Sequence, residues 1–252
     1  MELDVIHCGD SRKMKEVDDG SVQLIVTSPP YNVGKMYDDY QDSQVFQDYE
    51  SLLLDVWKEC IRVLCNGGRI AINVANINRT PYIPLSATIT NQFLRLGLFM
   101  RGEIIWNKGA SVGVSTAWGS FAQATNPVLR DVHEYILIFS KGQYKLDGNG
   151  RGSGIENKDF AKWTRSVWDF PTENAKRVGH PTPFPLELPK RLILLYTNIG
   201  DVVLDPFIGS GTTAVAAKML GRRYIGYDIS LSYCELSGNR VRDIQIKLPK
   251  ET

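Results

Sequence analysis

The amino-acid sequence predicts an α/β fold in which most strands of one sheet run parallel. Short apolar segments that suit buried strands alternate with segments in which apolar residues repeat at helical spacing. Residues 22–27 and 69–74 are two predicted strands, and residues 48–65 between them form a predicted helix that ends at the glycines of 66–68. A strand, a helix and a second strand within one short span are typical of a parallel βαβ unit.

The other predicted elements continue this alternation along the chain. Helices are expected over residues 85–97 and 188–196 and from residue 214 onward. Strands are expected at residues 5–8, 102–106, 135–139, 202–204 and 224–227. Residues 141–178 differ in kind, since they are glycine-rich and charged and lack a long apolar period. The predicted organisation is therefore a single domain of residues 1–252, with 141–178 as an inserted segment.

Composition and charge exclude several classes of protein. The chain has 252 residues, of which 43% are hydrophobic, and this apolar content is enough for a core, which excludes a disordered protein. A formal net charge of +1 argues against a strongly basic nucleic-acid-binding surface but leaves a local basic cleft open. The first residues lack the pattern of a secretory signal, and no apolar run approaches the ~18 residues of a membrane span. These features predict a cytoplasmic protein without a membrane partner.

The four cysteines, Cys8, Cys60, Cys65 and Cys234, give no sign of a metal site. They form no Cys-x-x-Cys pair and no histidines cluster near them, which disfavours zinc. We therefore expect reduced thiols, as in a cytoplasmic protein, and no bound metal ion.

A glycine-rich turn near residue 210 predicts a cofactor site. The apolar strand of residues 202–204 ends at Asp205, and small residues including Gly209 and Gly211 lead into a helix. Glycine lets a backbone approach a ligand closely, and the N–H groups that begin a helix point toward that ligand. The third glycine of a dinucleotide site and the lysine of a phosphate-binding loop are missing. Because Asp228 ends the next strand, where an acid suits ribose hydroxyls, we favour a nucleoside cofactor without phosphates over a plain strand–turn–helix joint.

A second motif, Ser28-Pro29-Pro30-Tyr31, follows the strand of residues 22–27. Proline has no N–H and a fixed φ, so the carbonyls here project rigidly as hydrogen-bond acceptors. Ser28 adds a hydroxyl and Tyr31 an aromatic face, a combination that suits an extruded base held by its amino group. A plain proline-rich loop is the alternative, but the carboxyl ends of strands are where α/β sheets bind ligands.

Together these motifs resemble those of DNA amino-methyltransferases that depend on S-adenosylmethionine. Residues 27–31 resemble the catalytic motif of that family, and residues 205–213 resemble its cofactor motif. The catalytic motif comes first along the chain, which is the permuted order of the family's beta group. Residues 180–185 resemble the segment that closes over the methionine end of the cofactor, and Gly9-Asp10 resembles the position that touches its adenine.

The resemblance implies a Rossmann-like methyltransferase fold with a mostly parallel seven-stranded sheet and helices on both faces. It also implies S-adenosyl-L-methionine as cofactor, double-stranded DNA as substrate and a base flipped into the site. The implied catalytic residues are Ser28, Pro29, Pro30 and Tyr31. The implied cofactor-binding residues are Asp10, Thr182, Phe184, Asp205, Phe207, Gly209, Gly211, Thr212 and Asp228. A homodimer and a cognate restriction endonuclease without stable contact stay open as further partners.

The residue before the two prolines bears on which base is methylated. Many adenine-modifying members of the family carry an acid or asparagine where this chain has Ser28, whereas serine is more usual in members that modify N4 of cytosine. The sequence therefore predicts N4 of cytosine, with N6 of adenine as the alternative. An RNA methyltransferase, a small-molecule or protein methyltransferase and a catalytically silent DNA-binding module are further alternatives.

DNA contact is predicted for residues 141–178, the probable target-recognition insertion. We expect Lys162, Arg165 and Trp168 to bind DNA, with Trp163 between them and with Lys176 and Arg177 on the same basic face. A solvated charged surface is the alternative. Residues 107–130 are the second candidate for the DNA cleft or for a subunit contact.

Overall fold

The protein contains an eight-stranded sheet in the computed structural model, which describes residues 1–33, 45–78, 81–109, 119–174 and 183–244. The strands at residues 5–8 and 22–27 have the predicted bounds, and the other predicted strands are found with shifted ends. In chain order the strands are β1 (Val5–Cys8), β2 (Val22–Thr27), β3 (Leu64–Val74), β4 (Phe99–Asn107), β5 (His133–Ser140), β6 (Val167–Asp169), β7 (Val202–Asp205) and β8 (Arg223–Asp228).

Six helices are found in the described ranges, and the predicted ones are among them. In chain order they are α1 (Phe46–Val63), α2 (Leu85–Arg95), α3 (Asn157–Trp163), α4 (Glu187–Tyr196), α5 (Thr212–Met219) and α6 (Leu231–Arg242). Within those ranges no helix combines the length and the apolar composition that crossing a membrane requires.

The direction of the strands determines where a site can form. Their order in the sheet is β1-β8-β7-β2-β3-β5-β4-β6. β5 runs antiparallel to its neighbours β3 and β4, and the other pairings of the described strands are parallel. The prediction of a mostly parallel sheet is therefore confirmed. The carboxyl ends of the parallel strands meet at one edge, together with the amino end of β5, and ligands of such sheets bind at this edge.

Apolar side chains alternate between the two faces of the sheet, and helices cover both faces. On one face, Ile70 and Ile72 of β3 lie in a buried cluster with the apolar stripe of α1 and with α2. On the other face, Ala71 lies in a cluster with α4 and α5. Successive strand residues point to opposite faces, so a continuous apolar run fills two cores. The predicted helices on both faces are confirmed.

Strand β3 begins directly after α1, earlier than the sequence predicts. The helix ends at Val63 and the strand starts at Leu64, so Gly67 lies within the strand instead of ending the helix. Gly67 has a φ of 74°, and an added Cβ would overlap the backbone carbonyl of Lys145. The glycine is therefore required by the close approach of a later part of the chain.

Residues 141–178, predicted as an irregular insertion, contribute α3 and β6 to the fold. β6 pairs with β4 and gives the sheet an eighth strand where seven were expected. Trp163 and Trp168 are 5% and 1% exposed and lie in the same core cluster as α4. The indole N–H of Trp168 donates to the Trp163 carbonyl at 3.0 Å. The prediction that Trp168 binds DNA is wrong, because α3 and β6 need this apolar surface to pack against the sheet.

Candidate active site

A cavity of about 710 Å³ opens at the carboxyl edge of the sheet. This volume lies in the range of roughly 300–1,000 Å³ that is typical of small-molecule sites. We divide it into two parts, named after the motif in each. The glycine half lies at the ends of β1, β7 and β8, and its lining includes Asp10, Arg12, Phe207, Gly209, Thr212 and Asp228. The proline half lies at the ends of β2, β3 and β4 and the start of β5, and its lining includes Ser28, Pro29, Pro30, Tyr31, Asn73, Trp106 and Glu134.

The glycine half is organised by Asp205, which ends β7 beneath the turn. Its buried carboxylate accepts hydrogen bonds from the hydroxyls of Thr27 (2.5 Å) and Thr213 (2.7 Å) and from the backbone N–H of Phe207 (3.1 Å). Burial raises the pKa of Asp205 to about 6, while these hydrogen bonds act in the opposite direction. The sequence predicts a cofactor contact for Asp205, but the side chain does not line the cavity. The structure instead gives Asp205 the role of shaping the turn.

The two glycines of the turn have different surroundings. Gly209 lines the cavity, and its N–H donates to the Asp228 carboxylate at 3.0 Å. Gly211 does not line the cavity; its φ is 82°, and an added Cβ would lie 2.7 Å from the Cβ of Ser237 in α6. The predicted cofactor contact of Gly211 is therefore corrected to a close packing contact between the start of α5 and α6.

Two carboxylates line the glycine half. Asp228 accepts hydrogen bonds from the backbone N–H groups of Gly209 and Ser230, at 3.0 and 2.9 Å, which fix the direction of its side chain. Asp10 accepts from Nε and Nη2 of Arg12 at 2.6 to 3.0 Å. The hydrogen bond from Arg12 lowers the pKa of Asp10, so this carboxyl is ionised at neutral pH.

Three more of the predicted cofactor residues line the cavity. They are Phe207 in the turn, Thr212 at the start of α5 and Phe184 before α4. Thr182, the remaining predicted residue, lies outside the described part of the chain. The structure therefore brings the described members of the predicted set to one side of the sheet edge, apart from Asp205 and Gly211.

The proline half begins with the Ser28-Pro29-Pro30-Tyr31 motif, and all four residues line the cavity. The Pro30 carbonyl accepts a hydrogen bond from the Tyr49 hydroxyl at 2.7 Å and is therefore occupied. The Pro29 carbonyl has no hydrogen-bond donor among the described residues. Of the two rigid carbonyls that the sequence predicts, the structure leaves that of Pro29 available to a ligand.

The Tyr31 hydroxyl lies at the centre of a polar cluster. It is 3.0 Å from Ser28 Oγ, 3.4 Å from a carboxylate oxygen of Glu134 and 3.5 Å from the carbonyl of Asn73. Burial raises the pKa of Tyr31 well above its ordinary value, and the negative charge of Glu134 adds to this effect. The phenol therefore stays protonated and can donate to Ser28. Its ring packs in part against the core, and the predicted stacking on a base stays a prediction.

Three residues that the sequence analysis did not single out complete the polar side of the proline half. Glu134, at the amino end of β5, pairs with the Lys108 ammonium at 2.7 Å and accepts from Asn73 Nδ2 at 2.6 Å. An asparagine inside an apolar strand and an acid at the start of another were the available signals. Neither signal has a partner in the sequence, because only the antiparallel direction of β5 brings Glu134 to this edge.

The two basic residues predicted to bind DNA are accessible. Lys162 lies near the end of α3 and Arg165 just after it, and both are exposed. Lys176 and Arg177, the other members of the predicted basic face, lie outside the described residues. The structure thus leaves Lys162 and Arg165 as the described candidates for phosphate contact, without the tryptophans.

A mostly parallel α/β sheet with a nucleoside-type turn and an acceptor motif at one edge defines the class of nucleoside-dependent enzymes. Residues 22–239 match the model of a DNA methylase family that unites N6 and N4 enzymes. The chain therefore belongs to this family of DNA methylases, and the predicted family is confirmed.

Similar proteins agree with this assignment. The Type II methyltransferase M.MjaI of Methanocaldococcus jannaschii is 32% identical, over 89% of this chain and 86% of its own length. The DNA adenine methyltransferase YhdJ of Escherichia coli K12 is 31% identical, over 94% of this chain and 82% of its own length. A DNA modification methylase of Thermus thermophilus, TTHA0409, solved with S-adenosyl-L-methionine, has a TM-score of 0.75 at 31% identity, over 98% of this chain and 99% of that one. The predicted fold class is thereby confirmed.

The substitution Gly211→Ala should lower the free energy of unfolding by more than Gly97→Ala. The two glycines have φ angles of 82° and 85°, so alanine meets a similar backbone strain of about 1 kcal/mol at each. At Gly97 an added Cβ has nothing within 4 Å, whereas at Gly211 it meets Ser237, and overpacking costs about 1–3 kcal/mol more. Chemical denaturation of both variants measures the difference. Equal losses would show that α5 and α6 are not tightly packed at Gly211.

Proposed function

We propose that this DNA methylase transfers a methyl group from S-adenosyl-L-methionine to the exocyclic amine of a base flipped out of double-stranded DNA, and that the amine is N4 of cytosine. N6 of adenine is the second candidate. One observation carries the proposal: a single cavity joins Asp228 in the glycine half to Ser28 and Pro29 in the proline half. A methyl donor in the first and a base in the second would face each other.

The glycine half fits S-adenosyl-L-methionine, the predicted cofactor. The fixed carboxylate of Asp228 suits the ribose hydroxyls of a nucleoside. Among the described lining residues of the whole cavity, six are acidic and one is basic, and that one, Arg12, is engaged by Asp10. This lining disfavours a phosphate and favours a cationic ligand. When bound, the cofactor supplies an electrophilic methyl group on a positively charged sulfur.

Ser28 and Pro29 act on the amine of the base. Such an amine is a poor nucleophile because its lone pair is delocalised into the ring. Ser28 Oγ and the Pro29 carbonyl accept hydrogen bonds from its two N–H groups, which favours a tetrahedral nitrogen with the lone pair turned out of the ring plane. The nitrogen gains positive charge as it reacts, so these hydrogen bonds stabilise the transition state more than the bound base. The Tyr31 hydroxyl, 3.0 Å from Ser28 Oγ, holds the serine in this position.

Two observations bear on the identity of the base. Ser28 supports cytosine, because a neutral hydroxyl accepts less strongly than a carboxylate and can also donate to the ring nitrogen beside the amine. YhdJ, at 31% identity, is a DNA adenine methyltransferase, which supports adenine instead. N4 of cytosine stays the first candidate because it rests on a residue of this chain that lines the cavity.

Mass spectrometry of nucleosides from a host that expresses the protein tests the proposed function. N4-methylcytosine is the expected new nucleoside, and sequencing that detects methylated positions gives the recognition sequence. If N6-methyladenine is the sole new nucleoside, the second candidate replaces the first. A host DNA without any new methylated nucleoside contradicts the proposal.

The variant Ser28→Ala should transfer methyl groups more slowly while binding the cofactor as wild type does. Loss of one hydrogen bond to a nitrogen that becomes charged predicts a decrease of about tenfold to a hundredfold in kcat. Incorporation of a labelled methyl group into DNA measures the rate, and calorimetry measures cofactor affinity. Ser86→Ala, on α2 and outside the cavity lining, serves as the matched control. An unchanged kcat for Ser28→Ala would remove Ser28 from the reaction.

Removal of both Lys162 and Arg165 should weaken DNA binding and flatten its dependence on salt. If both contact phosphates, the slope of log affinity against log salt concentration falls in magnitude by about 2. The double variant with alanine at Lys15 and Arg95, two exposed basic residues far from α3 in the sequence, removes the same charge as a control. Binding isotherms at several salt concentrations give the slopes. Equal slopes for the two double variants would place DNA contact elsewhere, with residues 107–130 as the next candidate.

A further inference from the structure

We propose that Asn73 Oδ1 selects a base with an amino group and rejects a base with a carbonyl in its place, and that Glu134 and Lys108 position Asn73 for this task. The inference rests on the proposed function, because it assigns a role to the proline half in recognising the flipped base. Nothing in the sequence motif itself supplies this role, since Asn73 and Glu134 come from β3 and β5.

The starting observation is an acceptor without a donor. Asn73 is 2% exposed and lines the cavity, and its Oδ1 has no hydrogen-bond partner among the described residues. A buried polar atom in this state is unfavourable, and most such atoms in folded proteins are paired. The other buried side-chain atom of this kind in the described ranges, Ser140 Oγ, lies at the far end of β5. A ligand in the proline half can satisfy Asn73, but Ser140 is out of its reach.

The orientation of the Asn73 amide is fixed by its neighbours. Nδ2 lies 2.6 Å from a carboxylate oxygen of Glu134, and an ionised carboxylate only accepts hydrogen bonds. The Lys108 ammonium, 2.7 Å from the other oxygen, keeps Glu134 charged. A flipped amide would bring two acceptors together, so Oδ1 must be the atom that remains for a ligand. Glu134 and Lys108 are therefore positioning residues for this acceptor.

A fixed acceptor distinguishes amino from carbonyl groups. Adenine and cytosine present N–H donors at their exocyclic amine, whereas guanine and thymine present a carbonyl oxygen at the equivalent position. An N–H relieves the unpaired state of Asn73 Oδ1. A carbonyl leaves it unpaired and adds repulsion between two acceptors, and sites built to bond a polar group reject analogues that lack it. The same atom thus favours both candidate bases over the other two.

Deaminated DNA provides the direct test. Once the methylated position is known, a duplex carrying the target base is compared with one in which that base is replaced by its deaminated form, uracil for cytosine or hypoxanthine for adenine. Affinities are measured in the presence of S-adenosyl-L-homocysteine. Wild type should prefer the amino form, and Asn73→Ala should reduce this preference by about tenfold or more. Ser140→Ala, which removes the other unpaired buried atom, should keep the wild-type preference.

A second variant guards against a merely structural effect. Glu134→Gln preserves size and lets the amide of residue 73 turn, so it should also reduce the preference for the amino form while cofactor affinity stays unchanged. If wild type methylates DNA and Asn73→Ala retains the full preference, the inference is overturned. A selective loss of cofactor affinity in Asn73→Ala overturns it as well, because Oδ1 would then serve the cofactor. Absence of methyl transfer by wild type would count against the proposed function and not against Asn73 alone.

Discussion

The relative position of the two halves of the cavity depends on the buried carboxylate of Asp205. Strands β2 and β7 are neighbours, and their ends are tied by the hydrogen bond of 2.5 Å from Thr27 to Asp205. The acceptor motif begins one residue after Thr27, and the glycine-rich turn begins one residue after Asp205. Thr213 and the Phe207 N–H complete the set of donors around the same carboxylate. One side chain thus links the strand that presents the base to the strand that presents the cofactor.

This arrangement uses hydrogen bonds where a salt bridge would be less suitable. A buried carboxylate is costly without partners, and three short-range donors replace the water that Asp205 loses. The proline half follows the same principle, since Glu134 meets a lysine, an asparagine and a tyrosine within one cluster. Donors held in fixed directions give a cavity its shape before any ligand arrives. Pre-arranged groups of this kind are what selective stabilisation of a transition state requires.

Much of the fold and part of the site could be predicted, because both follow from local patterns. The apolar alternation indicated the strands and helices, and the carboxyl ends of parallel strands must share an edge, so the two motifs were expected to meet. The reversal of β5 leaves no local signal, which is why Glu134 and its contact with Asn73 were missed. Gly211 and Trp168 were misassigned for a related reason. Whether a glycine or a tryptophan faces a ligand or a neighbouring element is decided by packing between distant segments.

A crystal structure with S-adenosyl-L-homocysteine and a duplex containing the recognition sequence tests most directly whether one cavity serves both cofactor and base. We expect the ribose of the ligand on the Asp228 carboxylate in the glycine half. We also expect the target base outside the helix, with its amine within hydrogen-bonding distance of Ser28 Oγ and the Pro29 carbonyl. A ligand bound away from the turn of residues 205–213, or a target base still stacked in the duplex, would contradict the account.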